Sequence, residues 1–271
     1  MSHTYASVQD LKAFVIDGGD SSWDESNDTL LAILEGASRR VDGWTMRSDF
    51  GSGYGPRVGT NRYDHDGSSY LLLNDDLITA TSITLRDGTG GGTTTLVADT
   101  DYYLRPYAGP PYTEVVFTGL GEGPSSGLRV WAVAGTFGYS AETLAAGTVA
   151  LASASATSAT VTGATIYAGQ TILVGSEQVY VTASTGGTAL TVTRGQNGTT
   201  AAAGTAAASG YRYPREVVTA TLQLSARRHR SAQSGVTGDF GGGNLPLVGN
   251  RDNETSILRG TVAHLKRYAA G

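Results

Sequence analysis

The chain has 271 residues, 19 Lys and Arg against 24 Asp and Glu, and a formal charge of -5. It has no cysteine, which excludes a disulfide framework and any thiolate metal site. Only 16% of residues are charged and 38 are glycine, a balance that suits β-rich structure with many turns better than an enzyme of the cytosol.

Along the chain, Ser7 and Asp10 have capping-box spacing, with Asp in place of Glu. Val8, Leu11, Phe14 and Val15 follow at helical spacing, so a helix is expected before Gly18-Gly19. A second helix is expected from about 24–28 to Trp44, with the stripe Leu30, Leu31, Ile33, Leu34, Ala37 and Val41. Residues 47–140 change to a period of two. Strands are expected at 69–73, 80–86, 94–98, 102–106, 114–118 and 128–135. Residues 141–210 form another β unit, with short strands at 149–154, 159–161, 171–174, 178–183 and 189–193. Glu142, Glu177 and Arg194 are the only charged residues there. The Ala-rich tract 200–209 reads as extended or irregular as readily as helical.

Helix returns after Pro214, with Val217, Val218, Thr221, Leu222 and Leu224 as its stripe. A glycine-rich loop, 236–250, centres on Leu245-Pro246-Leu247. A last helix over 253–268 turns Ile257, Leu258, Val262 and Leu265 inward. The expected fold class is therefore α+β: a small helical bundle core of N- and C-terminal helices, interrupted by β-rich insertions. The expected division is 1–46 with 211–271 as helical core, 47–140 as a β-rich section, and 141–210 as an inserted β module.

No segment has the run of roughly 18 apolar residues that a spanning helix needs, so no membrane association is expected. The N-terminus lacks the basic and apolar regions of a signal peptide, so the three Asn-x-Thr sequons at Asn27, Asn197 and Asn253 read as chance.

The motifs that suggest chemistry lack the companions each of them needs. Gly123 to Gly127 matches G-x-S-x-G around Ser125, but a strand rather than a helix follows it, against the needs of a nucleophile elbow. Asp64-His65-Asp66 pairs two carboxylates, yet no buried strand is expected before them to present Asp64, so a polar turn is expected, with weak cation binding by the two carboxylates as the alternative. The acids of 17–28 have Ser22 where an EF-hand needs glycine. His3, His65, His229 and His264 show no zinc spacing. Asp239-Phe240-Gly241 has no kinase companions, and Gly90 to Gly92 lacks the lysine of a P-loop. No catalytic residue, metal or cofactor is assigned.

Charge is unevenly spread. Residues 1–210 hold 10 basic and 20 acidic residues; residues 211–271 hold 9 and 4. Either a helical end simply carries more arginine than a β body, or a basic end meets something acidic. The cluster Arg227, Arg228 and Arg230, with His229, has the same two readings: an anion-binding patch, or cations compensating a helix C-terminus. Consecutive residues point around a helix, so the cluster cannot share one face.

The order of segments resembles the head–tail connector, or adaptor, proteins of long-tailed bacteriophages. The stretches that carry the likeness are SVQDLKAFV at 7–15, LLAILEGASRR at 30–40, SITLR at 82–86, YYLR at 102–105, VWAVAGTFGY at 130–139 and YPREVVTATLQLSAR at 213–227. In that family the last strand leads directly into the Pro-initiated helix; here 141–210 intervenes. Within it, GSEQVYVT at 175–182 and LTVTRGQNGT at 190–199 are similar to a small β module of phage structural proteins. That module often carries a His after its Ala run, where Gly204 stands here.

The resemblance implies a non-enzymatic virion protein, assembled in the host cytoplasm into a twelve-fold ring below the portal. It would extend the channel through which double-stranded DNA passes without sequence recognition, and dock the stopper or tail terminator. On that reading Arg259, His264, Lys266, Arg267 and Tyr268 bind the portal, and Phe240, Leu245, Pro246 and Leu247 form an assembly loop between neighbours. The alternative is a tail-fibre or surface module that uses 141–210, with Tyr167 and Tyr180, to hold carbohydrate.

Overall fold

A computed structural model describes residues 4–16, 27–47, 53–86, 93–118, 126–184, 186–233 and 248–265. The chain divides into two compact units. The first takes Met1–Asp49 and Glu142–Arg267; the second is built on Phe50–Ala141.

The second unit is a bent antiparallel sheet. Its strands are β1 (Arg57–His65), β2 (Tyr70–Arg86), β3 (Thr93–Thr95), β4 (Tyr102–Arg105), β5 (Tyr112–Phe117) and β6 (Gly127–Phe137). The order is β1-β6-β2-β5-β4, with β3 on the far half of β2. Register shifts between Leu77 and Thr79 and between Ala80 and Ser82 let the long β2 curve against β6. Curvature brings Leu71, Leu77, Ile83, Val115, Trp131, Val133 and Phe137 into one core. Trp131 stacks on Phe117 with ring centroids 4.3 Å apart. Gly135 is required at the β2–β6 crossing: a Cβ there would lie 2.0 Å from the Thr79 carbonyl oxygen.

In the first unit, β7 (Thr143–Leu151), β8 (Ser158–Thr162), β9 (Thr171–Val174), β10 (Glu177–Ser184), β11 (Ala189–Thr193) and β12 (Gly204–Tyr211) close into a six-stranded barrel. The Ala-rich tract ends in β12, since its extended backbone completes the ladders with β7 and β9. Pairs two residues apart point inward from successive strands: Val149 and Leu151, Ala159 and Val161, Ile172 and Val174, Val179 and Val181, Leu190 and Val192. A barrel of few strands has a narrow interior, which the many valines and alanines fit.

Four helices accompany the barrel: α1 (Val8–Ile16), α2 (Asn27–Trp44), α3 (Arg215–Gln233) and α4 (Val248–Thr261). The capping box at the start of α1 forms reciprocally. The Asp10 N–H donates to Ser7 Oγ at 3.1 Å, and the Ser7 N–H donates to Asp10 Oδ2 at 2.8 Å.

The expected helical bundle core does not form; the protein is mostly β, with twelve strands against four α-helices among the described residues. The physical reason lies in what the helical stripes meet. Leu11, Val15, Leu30, Leu31 and Leu34 share their core with Ala168 and Tyr180 of the barrel unit. The Val8 N–H also donates to the Ala168 carbonyl at 2.9 Å. Meanwhile α2 and α3 bury polar side chains, Ser38 and Asp42 on one and Thr221, Ser225 and His229 on the other. Such helices have too little apolar surface between them to be a core of their own.

Candidate functional site

The most organised polar site lies on the barrel. Glu177 opens β10 and Arg194 follows β11, and their side chains are only 2% and 7% exposed. Arg194 Nε and Nη2 donate to Glu177 Oε1 and Oε2 at 2.8 and 2.6 Å. The N–H groups of Gly195 and Ala202 donate to the same two oxygens at 2.8 and 3.1 Å. Burial alone would raise the Glu177 pKa. The donors from Arg194, Ala202 and Gly195 outweigh it and hold the carboxyl below the ordinary glutamate value. Arg194 also reaches the carbonyls of Ser153 and Ala202.

Beside this pair, Asn197 Nδ2 donates to Gln178 Oε1 at 2.8 Å, and the Gln178 N–H donates to Thr199 Oγ1 at 2.9 Å. Gly195 and Asn197 adopt left-handed backbone, φ 58° and 53°, to make the turn. The RGQNGT run is thus a lock that ties three barrel segments together. Sequence reasoning did not find it, although two opposite charges in a nearly uncharged stretch were its signal. The third charge, Glu142, meets exposed Arg212 at 3.3 Å.

A second network joins the N-terminal segment to α2. The Tyr5 hydroxyl donates to Asp42 Oδ1, and Arg39 Nη2 lies 3.1 Å from Asp42 Oδ2. Burial pushes the Asp42 carboxyl up to about 6, with Arg39, Tyr5 and Arg47 offsetting only part of the effect. The Tyr5 and Tyr213 rings meet edge-on at 4.8 Å. Tyr180 is 2% exposed, and its hydroxyl donates to Glu35 Oε1 at 2.8 Å. Burial and the Glu35 charge raise its pKa well above the ordinary tyrosine value. Its ring is therefore not on offer to a sugar. Beside this network lies a cleft of about 730 Å³ with an apolar floor of Phe14, Val218 and Leu222 and with Arg212 and Arg215 in its lining.

The arginine cluster on α3 points several ways. Arg227 and Arg228 are half-buried, His229 is buried and Arg230 is exposed. Arg228 Nε lies 3.4 Å from Glu254 of α4, whose other oxygen is 3.5 Å from Arg40 of α2. Glu254 thus fastens three helices, and Arg228 belongs to the fold rather than to an open patch. Arg259 and His264 are exposed at the end of α4 and in the 3₁₀ turn after it. Lys266, Arg267 and Tyr268 lie outside the described residues, as do Phe240, Leu245, Pro246 and Leu247.

In the sheet unit the expected polar turn is corrected: Asp64 and His65 are the last residues of β1, and only Asp66 lies in the turn after it, because the segment before them pairs with β6 and buries Tyr63. His65 Nδ1 accepts from the Gly67 N–H at 3.0 Å and Nε2 faces the Tyr70 carbonyl at 3.3 Å, an arrangement for the neutral ring with its proton on Nε2. Asp66 accepts from the Ser68 N–H at 2.8 Å, which lowers its pKa. Asp64 accepts from the Arg129 N–H at 2.7 Å. Among the described residues no group of three His, Asp or Glu side chains is placed to hold a metal. Ser125 lies outside the described residues. No described helix is long and apolar enough to cross a membrane.

The chain matches no family model, and comparison with curated proteins and with solved structures gives no match.

Proposed function

We propose that the chain is a structural adaptor of a tailed-phage virion, assembling with copies of itself into a ring beneath the portal. The observation that supports it best is a division of labour among side chains. The polar constellations able to do chemistry are tied into the fold: Glu177 with Arg194, Asp42 with Tyr5 and Arg39, and His65 with its own turn. Large apolar side chains stay exposed instead, Leu128 at 83%, Tyr107 at 70% and Leu144 at 62%. Single exposed apolar side chains are common on any surface, and in this proposal they are the groups available for contact with neighbours. The order of segments set out above supports the same reading.

In this proposal exposed Arg259 and His264 form part of the portal contact, with Lys266, Arg267 and Tyr268 continuing it. Acidic residues of 1–210 weaken any grip on DNA, because like charges do not release counterions from the duplex. The tail side receives the stopper or tail terminator. The test is the mass and symmetry of the purified particle by sedimentation and negative-stain imaging. A closed ring is expected. A chain that stays monomeric up to its solubility limit overturns the reading. A pull-down with portal then tests the C-terminal contact: removal of 259–271 abolishes capture.

A further inference from the structure

We infer that neighbouring copies join head to tail through the sheet unit, with the Leu128–Arg129 tip of one copy seated in the tyrosine-lined cleft of the next; this rests on the ring-assembly reading.

The tip is open to solvent, with Leu128 at the start of β6 on the rim of a recess shared with Asp64, His65 and Tyr70. Leu128 is the most exposed of the large hydrophobic side chains among the described residues. Arg129 has φ 54°, a left-handed backbone that a non-glycine residue adopts only when its surroundings impose it. The imposing contact is the 2.7 Å hydrogen bond from the Arg129 N–H to Asp64 Oδ1. The Arg129 side chain is exposed and makes no ion pair with any described residue. An apolar side chain and an unopposed cation are therefore presented side by side.

The cleft offers the complement. It holds about 440 Å³ among Tyr102, Tyr103, Tyr107, Tyr112, Ile78 and Asp99. Asp99 is also held at positive φ, 60°, and the Tyr103 hydroxyl fixes its carbonyl at 3.1 Å. Its carboxylate accepts no hydrogen bond from a described residue. Arg105, next to Leu104 of the cleft lining, lies over Tyr107 at 5.4 Å and faces Glu114 at 3.6 Å, so its charge is answered within the subunit. What remains is an aromatic wall with one open carboxylate. Its chemistry takes a leucine against the rings and an arginine against Asp99 and a tyrosine face.

The occupant follows from the same chain carrying both halves. Tip and cleft share no residue, so the contact is heterologous. Each copy uses its tip on one neighbour and its cleft on the other, which closes a ring when the rotation allows.

The test uses the full chain. Sedimentation is run on the wild type, Arg129→Glu, Leu128→Asp, and Arg129→Glu combined with Asp99→Arg, each checked for unchanged circular dichroism. Each of the first two variants weakens association by about tenfold or more, and the charge exchange restores most of it. A monomeric wild type overturns the assembly reading and this inference together. A wild type that assembles, with variants that assemble equally well, overturns this inference alone. Because the chain has no cysteine, Leu128→Cys with Tyr107→Cys in one chain provides a check independent of affinity. Mild oxidation yields a ladder of covalent oligomers. An internally bridged monomer, or no bridge within assembled particles, overturns the contact.

Discussion

Replacing Glu177 by Gln tests whether the barrel depends on its one buried ion pair. The shape is kept, but the charge is lost and one carboxylate oxygen becomes an N–H₂ group. That oxygen accepts two of the four bonds that converge on Glu177, from Arg194 and from either Gly195 or Ala202. Arg194, only 7% exposed, would be left without its counter-charge. Breaking one partner of a buried pair costs about 3–5 kcal/mol. That is a large part of the roughly 5–15 kcal/mol that holds a domain folded. For a unit of this size it lowers Tm by about 6–20 °C.

Calorimetry reads the shift. Hydrogen exchange locates it, with protection falling first in 177–184 and 194–211. The double replacement Glu177→Leu with Arg194→Met removes both charges but leaves the Gly195 and Ala202 N–H groups without this acceptor, so it recovers part of the loss. A Tm within about 2 °C of the wild type for Glu177→Gln would refute the reasoning. A double variant no better than the single would refute the electrostatic part. Acid offers a further check. Because the folded-state pKa is depressed, the stabilisation is present above the unfolded glutamate pKa and is lost as pH falls through the folded value. Glu177→Gln lacks that acid limb.

Asp42 has the opposite sign. Its folded pKa rises from 3.8 to about 6, so the folded state holds the proton more tightly. Stability then falls as pH rises between those values, by up to about 3 kcal/mol, and Asp42→Asn flattens this slope in a pH series of Tm. Gly135→Ala sets a Cβ 2.0 Å from the Thr79 carbonyl oxygen and forces β2 and β6 apart. It costs about 1–3 kcal/mol or more in urea unfolding. Glu254→Ala releases Arg40 and Arg228 from α4. The loss is about 1 kcal/mol because these groups are partly exposed, and it appears as roughly fivefold faster amide exchange in α4. Leu190→Ala empties part of the barrel interior and costs about 2–5 kcal/mol by calorimetry.

The sequence by itself determined the local structure. Ser7 and Asp10 marked a helix start because a capping box closes within four residues. Leu30, Leu34 and Val41 marked a buried helix face, and alternation marked β10 and β11, because side-chain direction repeats with the backbone period. The turn after His65 was legible only in part: the bonds of His65 and Asp66 run between residues at most five apart, but the strand that ends at His65 and the Asp64 bond to Arg129 depend on a partner 65 residues away.

Tertiary structure alone decided the rest. Alternation says that a strand has an inner face but not which strand lies beside it. Closure of β7–β12 into a barrel is therefore a matter of non-local register. The same limit explains the fold class. Helical stripes predict burial without naming the partner, and here the partner includes the barrel's Ala168 and Tyr180. Glu177 and Arg194 stand 17 residues apart, and Tyr5 and Asp42 stand 37 apart. Chain folding, not spacing, brings each pair into contact. The arginine cluster shows the converse. It is one run in the sequence, yet helical geometry and Glu254 divide it into an exposed residue, half-buried ones and an ion-paired strut.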